Sequence, residues 1–172
     1  MNPQLRPLFA RRSIRKYTDQ PVTEEVVRDL LEAAMAAPSA VAKDPWHFVV
    51  VRNPATLKAI AGGLTNGRHL AQAAVGIAVC GEISRAHDTD PAYLVQDCSA
   101  ATENLLLAAS LLGLGACWCG IYPLADRIEL LRRTLKIPAG IIPVALISIG
   151  WPAQRADARS RFRASAVHDE RW

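Results

Sequence analysis

Arg11-Arg12-Ser13-Ile14-Arg15-Lys16 sets four cations and one hydroxyl within six residues and then runs on as the strand-like Arg15-Lys16-Tyr17-Thr18. Such a run suits a phosphate, since each charge-assisted hydrogen bond is worth roughly 1.5–3 kcal/mol. A second basic segment, RADARSRFR at 155–163, lies near the other end, beyond a mostly apolar middle. Folded onto one site, the two segments would hold a small phosphorylated ligand. Taken separately, each also reads as a solvated arginine-rich stretch.

The remaining chemistry-bearing residues point away from other reaction classes. The four cysteines are Cys80, Cys98, Cys117 and Cys119, and Cys117-Trp118-Cys119 has Cys-x-Cys rather than Cys-x-x-Cys spacing. In a strand, both of its thiols face one side. No zinc or iron–sulfur pattern follows, and His47, His69, His87 and His168 show no helical metal-ligand spacing. No Ser/His/Asp, Cys/His or paired-carboxylate arrangement suggests hydrolysis, so no catalytic side chain is assigned.

These groups need elements to position them. Thr23 is a natural N-cap for a helix over 23–36, with Glu24 and Glu25 in its first turn and Val26, Val27, Leu30, Leu31 and Ala34 on one face. A strand is expected over 47–52, and Asn53-Pro54 then starts a helix to about residue 61. A short helical piece at 68–73 and a strand at 74–80 come next. The pattern over 92–112 predicts a long helix that is apolar on several faces, which calls for cover on both sides, the second cover being expected from a second copy of the chain. Strands at 116–121 and 141–150 bracket an amphipathic helix at 123–135, with Glu129 and Arg133 at i,i+4 spacing. The absence of a βαβ rhythm and of Gly-x-Gly-x-x-Gly argues against a Rossmann domain.

The 172 residues fit one domain, 1–172, with 151–172 as a C-terminal arm too weakly periodic to pack alone. Apolar residues are 51% and charged residues 21%, a globular balance without repeats or low-complexity stretches. The net charge of +4 has no basic stripe interleaved with aromatics, which disfavours nucleic acid and favours a local anionic ligand. The first dozen residues lack an apolar signal-peptide core, giving a cytoplasmic expectation that reduced thiols would suit. Residues 105–125 carry no charge, but Gly113, Gly115 and Pro123 interrupt them, so a buried helix turning into a buried strand is expected rather than a membrane span.

RRSIRKY, Ala37-Pro38-Ser39-Ala40-Val41-Ala42-Lys43-Asp44-Pro45-Trp46-His47-Phe48, Gly113-Leu114-Gly115-Ala116-Cys117-Trp118 and Arg159-Ser160-Arg161 resemble, in this order, the motifs of the nitroreductase family of FMN-dependent oxidoreductases. The resemblance implies an α+β fold with a central mixed, mainly antiparallel sheet flanked by helices, and a C-terminal arm exchanged across a homodimer. It implies FMN at the subunit interface, reduced by NAD(P)H and reoxidised by a small planar, electron-poor acceptor such as a nitroaromatic or quinone in a ping-pong sequence. Arg11, Arg12, Ser13 and Arg15 match the motif that engages the phosphate, ribityl chain and pyrimidine edge. Arg159 and Arg161 match the closing phosphate pair. Pro38, Ser39 and Ala40 match the Pro-Ser-Ser that the family contributes from the other subunit. Ala42 replaces a usual Asn and Asp44 a usual Gln, and Asp44 is a partner for Lys43. Cys119, Gly120 and Ile121 fall at the strand end beside flavin N5, and Asn66, Arg68 and His69 fall where relatives add ring contacts. Alternatives within reach of the same residues are a flavin carrier, reductive dehalogenation or flavin fragmentation, and, from a different class, a nucleic-acid binder.

Overall fold

The computed structural model describes residues 2–172. A short helix, α1 (Arg6–Ala10), opens the chain; five residues are too few to show an amphipathic period, and the sequence reading contains no helix there. Thr23 then caps α2 (Glu24–Met35), its hydroxyl accepting the Val26 N–H at 3.3 Å, and Val27, Leu30 and Ala34 face inward. Strand β1 (Trp46–Val51) leads to α3 (Pro54–Gly62), where Asn53 accepts the N–H groups of Ala55 and Thr56 at 2.8 and 3.2 Å. A 3₁₀ turn at Arg68–Gln72 precedes β2 (Val75–Glu82), and Asp90 caps α4 (Pro91–Leu111). Then come β3 (Gly115–Gly120), α5 (Ala125–Leu135) and β4 (Ile141–Gly150). On α5 the expected Glu129–Arg133 ion pair is not among those formed by the described residues; Arg28 and Glu32 on α2 make the i,i+4 pair, at 2.8 Å.

The sheet order is β1-β2-β4-β3 and every neighbouring pair is antiparallel. The mixed sheet of the sequence expectation reduces to one parallel bridge, Ser13 to Ala116, at the free edge of β3. Alternation along the strands sends Ile77, Val79, Ile147 and Ile149 to one face and Ala78, Cys80 and Leu146 to the other. The first face packs on α2 and α4 through Leu30, Leu94, Cys98 and Leu105, and the second on α3 and α5 through Leu57, Ile60 and Leu131. Each such fully buried aliphatic contributes about 1.5–3 kcal/mol. Together they make the sheet a rigid base for whatever lies at its ends.

Helix α4 stops at Gly113, whose φ of +78° is a left-handed value that glycine adopts freely, and the Leu114 N–H closes the turn on Ala109 O at 2.8 Å. The uncharged stretch therefore folds as helix, turn and strand, and no helix of the described residues is long and apolar enough to cross a membrane. Beyond β4 the arm is largely exposed, with Phe162 at 77% and Val167 at 58% of full accessibility.

The basic N-terminal run does not form a named strand. It lies as an extended strip across the sheet edge, with the Ile14 N–H on Ala116 O at 2.9 Å, the Thr18 N–H on Trp151 O at 2.9 Å and the Ala153 N–H on Lys16 O at 2.9 Å. Two glycines allow this approach: a Cβ at Gly115 would stand 2.5 Å from Ile14 Cγ2, and one at Gly150 3.0 Å from the Tyr17 ring. The strip thereby aims Arg15 at the outer end of β3.

Candidate functional site

Arg15 from the strip, Asn66 and His69 from the turn after α3, and Cys119 and Gly120 from the end of β3 surround one cavity of about 200 Å³. A second cavity of about 520 Å³ shares Arg15, Asn66 and His69 with it and continues past Lys16, Arg68 and Gln154. Five residues singled out from sequence thus meet at one place, although they come from three separate stretches of chain. Cys117, Trp118 and Arg127 also line the first cavity. Cys117 carried a signal, since it shares the Cys119 face of β3; Arg127 reaches the site from α5 by donating to Gly120 O at 2.7 Å, which no local pattern announces.

Ile121 is placed differently from its neighbour. Its side chain is fully buried in the core beneath α5, its N–H bonds Val144 O at 3.1 Å, and it lines neither cavity. Gly120 stays at the surface, and a Cβ added there would meet nothing within 4 Å.

Behind the cavity lies a buried polar chain. His69 Nδ1 is 2.8 Å from Ser148 Oγ, which is 2.7 Å from the Tyr17 hydroxyl, and the hydroxyl donates to Ile14 O at 2.6 Å. Toward the cavity, His69 Nε2 lies 3.5 Å from Cys119 Sγ. Burial, with a lesser push from Arg15, lowers the His69 pKa, so the ring is neutral near pH 7. Burial also raises Tyr17 strongly, pushes Cys119 up to about 11, and raises Cys117 against the opposing pull of Arg15. All four cysteines are free thiols, and Cys80 and Cys98 are pushed up to about 12 by burial. None of the four is a thiolate near pH 7.

The two basic segments do come together, in a separate depression of about 200 Å³. Arg11, Arg12, Arg159 and Arg161 line it with Leu8 and Phe9, and the Arg159 N–H bonds Phe9 O at 3.2 Å. Two of these cations are already engaged: Arg11 pairs with Glu103 of α4 at 3.1 Å, and Arg12 donates to the Asp157 carbonyl. Ser13 is exposed on the strip between the two sites.

The loop over 38–44 lines neither the cavities nor the depression, so within one chain Pro38, Ser39, Ala40 and Ala42 stand apart from the other singled-out residues. Its geometry is internally fixed. Val41, Ala42 and Asp44 all have φ near +50°, Ser39 donates to Asp44 Oδ1 at 2.5 Å, and the Asp44 N–H returns to Ser39 Oγ at 3.0 Å. Asp44 therefore pairs with Ser39, correcting the expected partnership with Lys43. Asp97, 4% exposed on α4, accepts the Ala40 N–H at 2.8 Å and ties the loop to the core; its role has no local signal because its partner lies 57 positions away.

A four-stranded antiparallel sheet with helix pairs on both faces, and a cationic cavity where its edge strand ends, defines an α+β protein whose site is built at the sheet margin. The chain belongs to the nitroreductase family, whose sequence profile matches residues 8–67 and 62–151. It is 46% identical over 168 residues to a Methanothermobacter thermautotrophicus protein provisionally named NADH dehydrogenase/NAD(P)H nitroreductase, covering 98% of this chain and 87% of that one. Its structure is similar to that of a provisionally named NADH dehydrogenase/NAD(P)H nitroreductase from Parabacteroides distasonis, with a TM-score of 0.93, 38% identity and 100% coverage of both chains. It is also similar to a provisionally named nitroreductase from Desulfovibrio desulfuricans in complex with FMN, with a TM-score of 0.84, 34% identity and coverage of 100% of this chain and 99% of that one.

Proposed function

We propose that this chain is an FMN-dependent NAD(P)H oxidoreductase acting on an electron-poor planar acceptor such as a nitroaromatic or quinone, and that it works as a homodimer with FMN between subunits. The observation that carries the reading is the convergence of Arg15, Asn66 and His69 on one cavity at the exposed end of β3. A relative of known structure and 34% identity holds FMN, and a relative of 46% identity is named for NAD(P)H.

The donor set suits FMN. Arg15 and Asn66 bring hydrogen-bond donors to a cavity whose Gly120 leaves room for a flat ring, and the exposed cations Arg159 and Arg161 suit a phosphate. When bound, FMN supplies two-electron transfer between a nicotinamide donor and the acceptor. The protein's part is binding and electrostatics: Arg15 would favour negative charge on a ring edge bound in the cavity, and the neutral thiols of Cys117 and Cys119 would take no part as nucleophiles. With no thiolate nucleophile at the cavity, one stacking face would serve donor and acceptor in turn, giving ping-pong kinetics.

Dimerisation is supported by three features of the single chain. Leu111 and Leu112 are 67% and 42% exposed at the end of α4, the arm beyond β4 leaves Phe162 and Val167 uncovered, and the 38–44 loop lines neither of the two joined cavities nor the basic depression. In the dimer, Pro38, Ser39, Ala40 and Ala42 of one subunit would border the other subunit's cavity. The absorption spectrum of the purified protein tests the cofactor: flavin bands at one FMN per chain are expected, and a colourless protein that does not take up added FMN would refute it.

A further inference from the structure

Tyr17, Ser148 and His69 form a chain of hydrogen bonds whose short contacts order its protons, because the competing acceptors are farther away, Ser148 O at 3.3 Å from the Tyr17 hydroxyl and Cys117 O at 3.4 Å from Ser148 Oγ. Each hydroxyl has one proton to give. The Ile14 carbonyl can only accept, so at 2.6 Å it takes the Tyr17 proton. The Tyr17 oxygen must then accept at 2.7 Å, which takes the Ser148 proton. Ser148 Oγ, its proton spent, is left to accept at 2.8 Å, and His69 Nδ1 must carry a hydrogen. A neutral ring protonated at Nδ1 has its lone pair on Nε2, the nitrogen on the cavity side, where the Cys119 thiol donates to it at 3.5 Å. The order holds because Tyr17 and Ser148 are buried, 9% and 0% exposed, and have no bulk water with which to exchange partners.

We infer that Tyr17 and Ser148 are positioning residues that lock His69 in the Nδ1–H form, so that Nε2 offers the cavity a hydrogen-bond acceptor alongside the donors of Arg15 and Asn66. An acceptor at Nε2 beside the donors of Arg15 and the Asn66 amide complements a ring edge that carries an N–H between two carbonyls, a cyclic imide. The opposite tautomer would set N–H against N–H and repel the same edge. This rests on the flavin reading, in which the imide is the pyrimidine edge of the isoalloxazine ring, and it deepens that reading by naming the group that recognises the imide N–H. The Cys119 thiol serves as the stand-in donor until the ligand takes its place.

The test is ¹⁵N NMR of the protein labelled at its histidines and freed of bound flavin, followed by titration with FMN. The expected result is a His69 with a protonated Nδ1 and an unprotonated Nε2, before and after FMN binds. Ser148→Ala should move the proton to Nε2 and weaken FMN by about tenfold, the loss of roughly one hydrogen bond with its partner left unpaired. Tyr17→Phe, which frees the Ser148 proton, should produce a mixture of both tautomers. A wild-type His69 protonated at Nε2 overturns the lock even if FMN binds tightly. If the tautomer is as stated and FMN nevertheless fails to bind, the flavin reading falls, and the imide assignment falls with it.

Discussion

Ser39 and Asp44 close the 38–44 loop on themselves: the serine hydroxyl donates to the carboxylate at 2.5 Å and receives the aspartate's own N–H at 3.0 Å. The contact stabilises three residues at positive φ, a region that Val41 and Ala42 would not choose unaided. In the proposed dimer this loop is the partner's contribution to the flavin. Asp44→Ala should therefore cost about 1 kcal/mol of stability, the size of a hydrogen bond at a solvent-exposed carboxylate, and reduce FMN retention more than it reduces folding. Asp44→Asn, which tolerates a φ of 47° and keeps an acceptor, should sit close to wild type. Urea denaturation and flavin stoichiometry of the two variants decide this; equal stability for Asp44→Ala would remove the loop-locking role.

Protonation of His69 sets an acid limit to stability. Burial and Arg15 lower its pKa in the folded chain, so below the ordinary value of 6.5 the unfolded chain binds a proton that the native chain resists. Stability should accordingly decline as pH falls from 6.5 toward the depressed native value. His69→Gln should flatten that part of the profile. An unchanged slope would place the acid sensitivity elsewhere.

Glycines at the two ends of β3 should separate folding from binding. A Cβ at Gly115 would press to 2.5 Å on Ile14 and push the Arg15 strip off the sheet, so Gly115→Ala should cost about 1–3 kcal/mol and weaken FMN as well. At Gly120 the added Cβ meets nothing within 4 Å. Gly120→Ala should leave the melting temperature nearly unchanged while lowering FMN affinity by intruding on the cavity. Loss of stability in Gly120→Ala without loss of affinity would contradict its place in the site.

Removal of residues 163–172 should weaken the dimer and FMN binding together, because the arm is exposed in the single chain and proposed to be covered only by its partner. Sedimentation of the full chain should show a dimer at micromolar concentration, with an interface above about 2,000 Å². A monomer that keeps its FMN would refute the shared site.

Much of this architecture was legible because local physics decided it. Thr23 and Asn53-Pro54 start helices where caps should, and Gly113 turns the longest apolar stretch from helix to strand. The alternation along β2 and β4 needs both faces covered, and both are. What stayed hidden was long-range. Tyr17 and Ser148 lie 131 positions apart, and nothing near either residue signals a buried hydrogen-bond chain ending at His69. Asp44 sits beside Lys43 in sequence, but a loop at positive φ turns its carboxylate back to Ser39. The arginine motif was visible as one feature, yet the strip divides it, sending Arg11 and Arg12 to one depression and Arg15 to another.

The central claim is tested most directly by anaerobic mixing of the FMN-loaded protein with NADH and, separately, with NADPH, followed by absorbance of the flavin. The account predicts that at least one of the two bleaches the flavin, and that adding a nitroaromatic or quinone restores the colour without oxygen. A protein that holds FMN but is bleached by neither nucleotide would contradict an NAD(P)H oxidoreductase and leave a flavin carrier in its place.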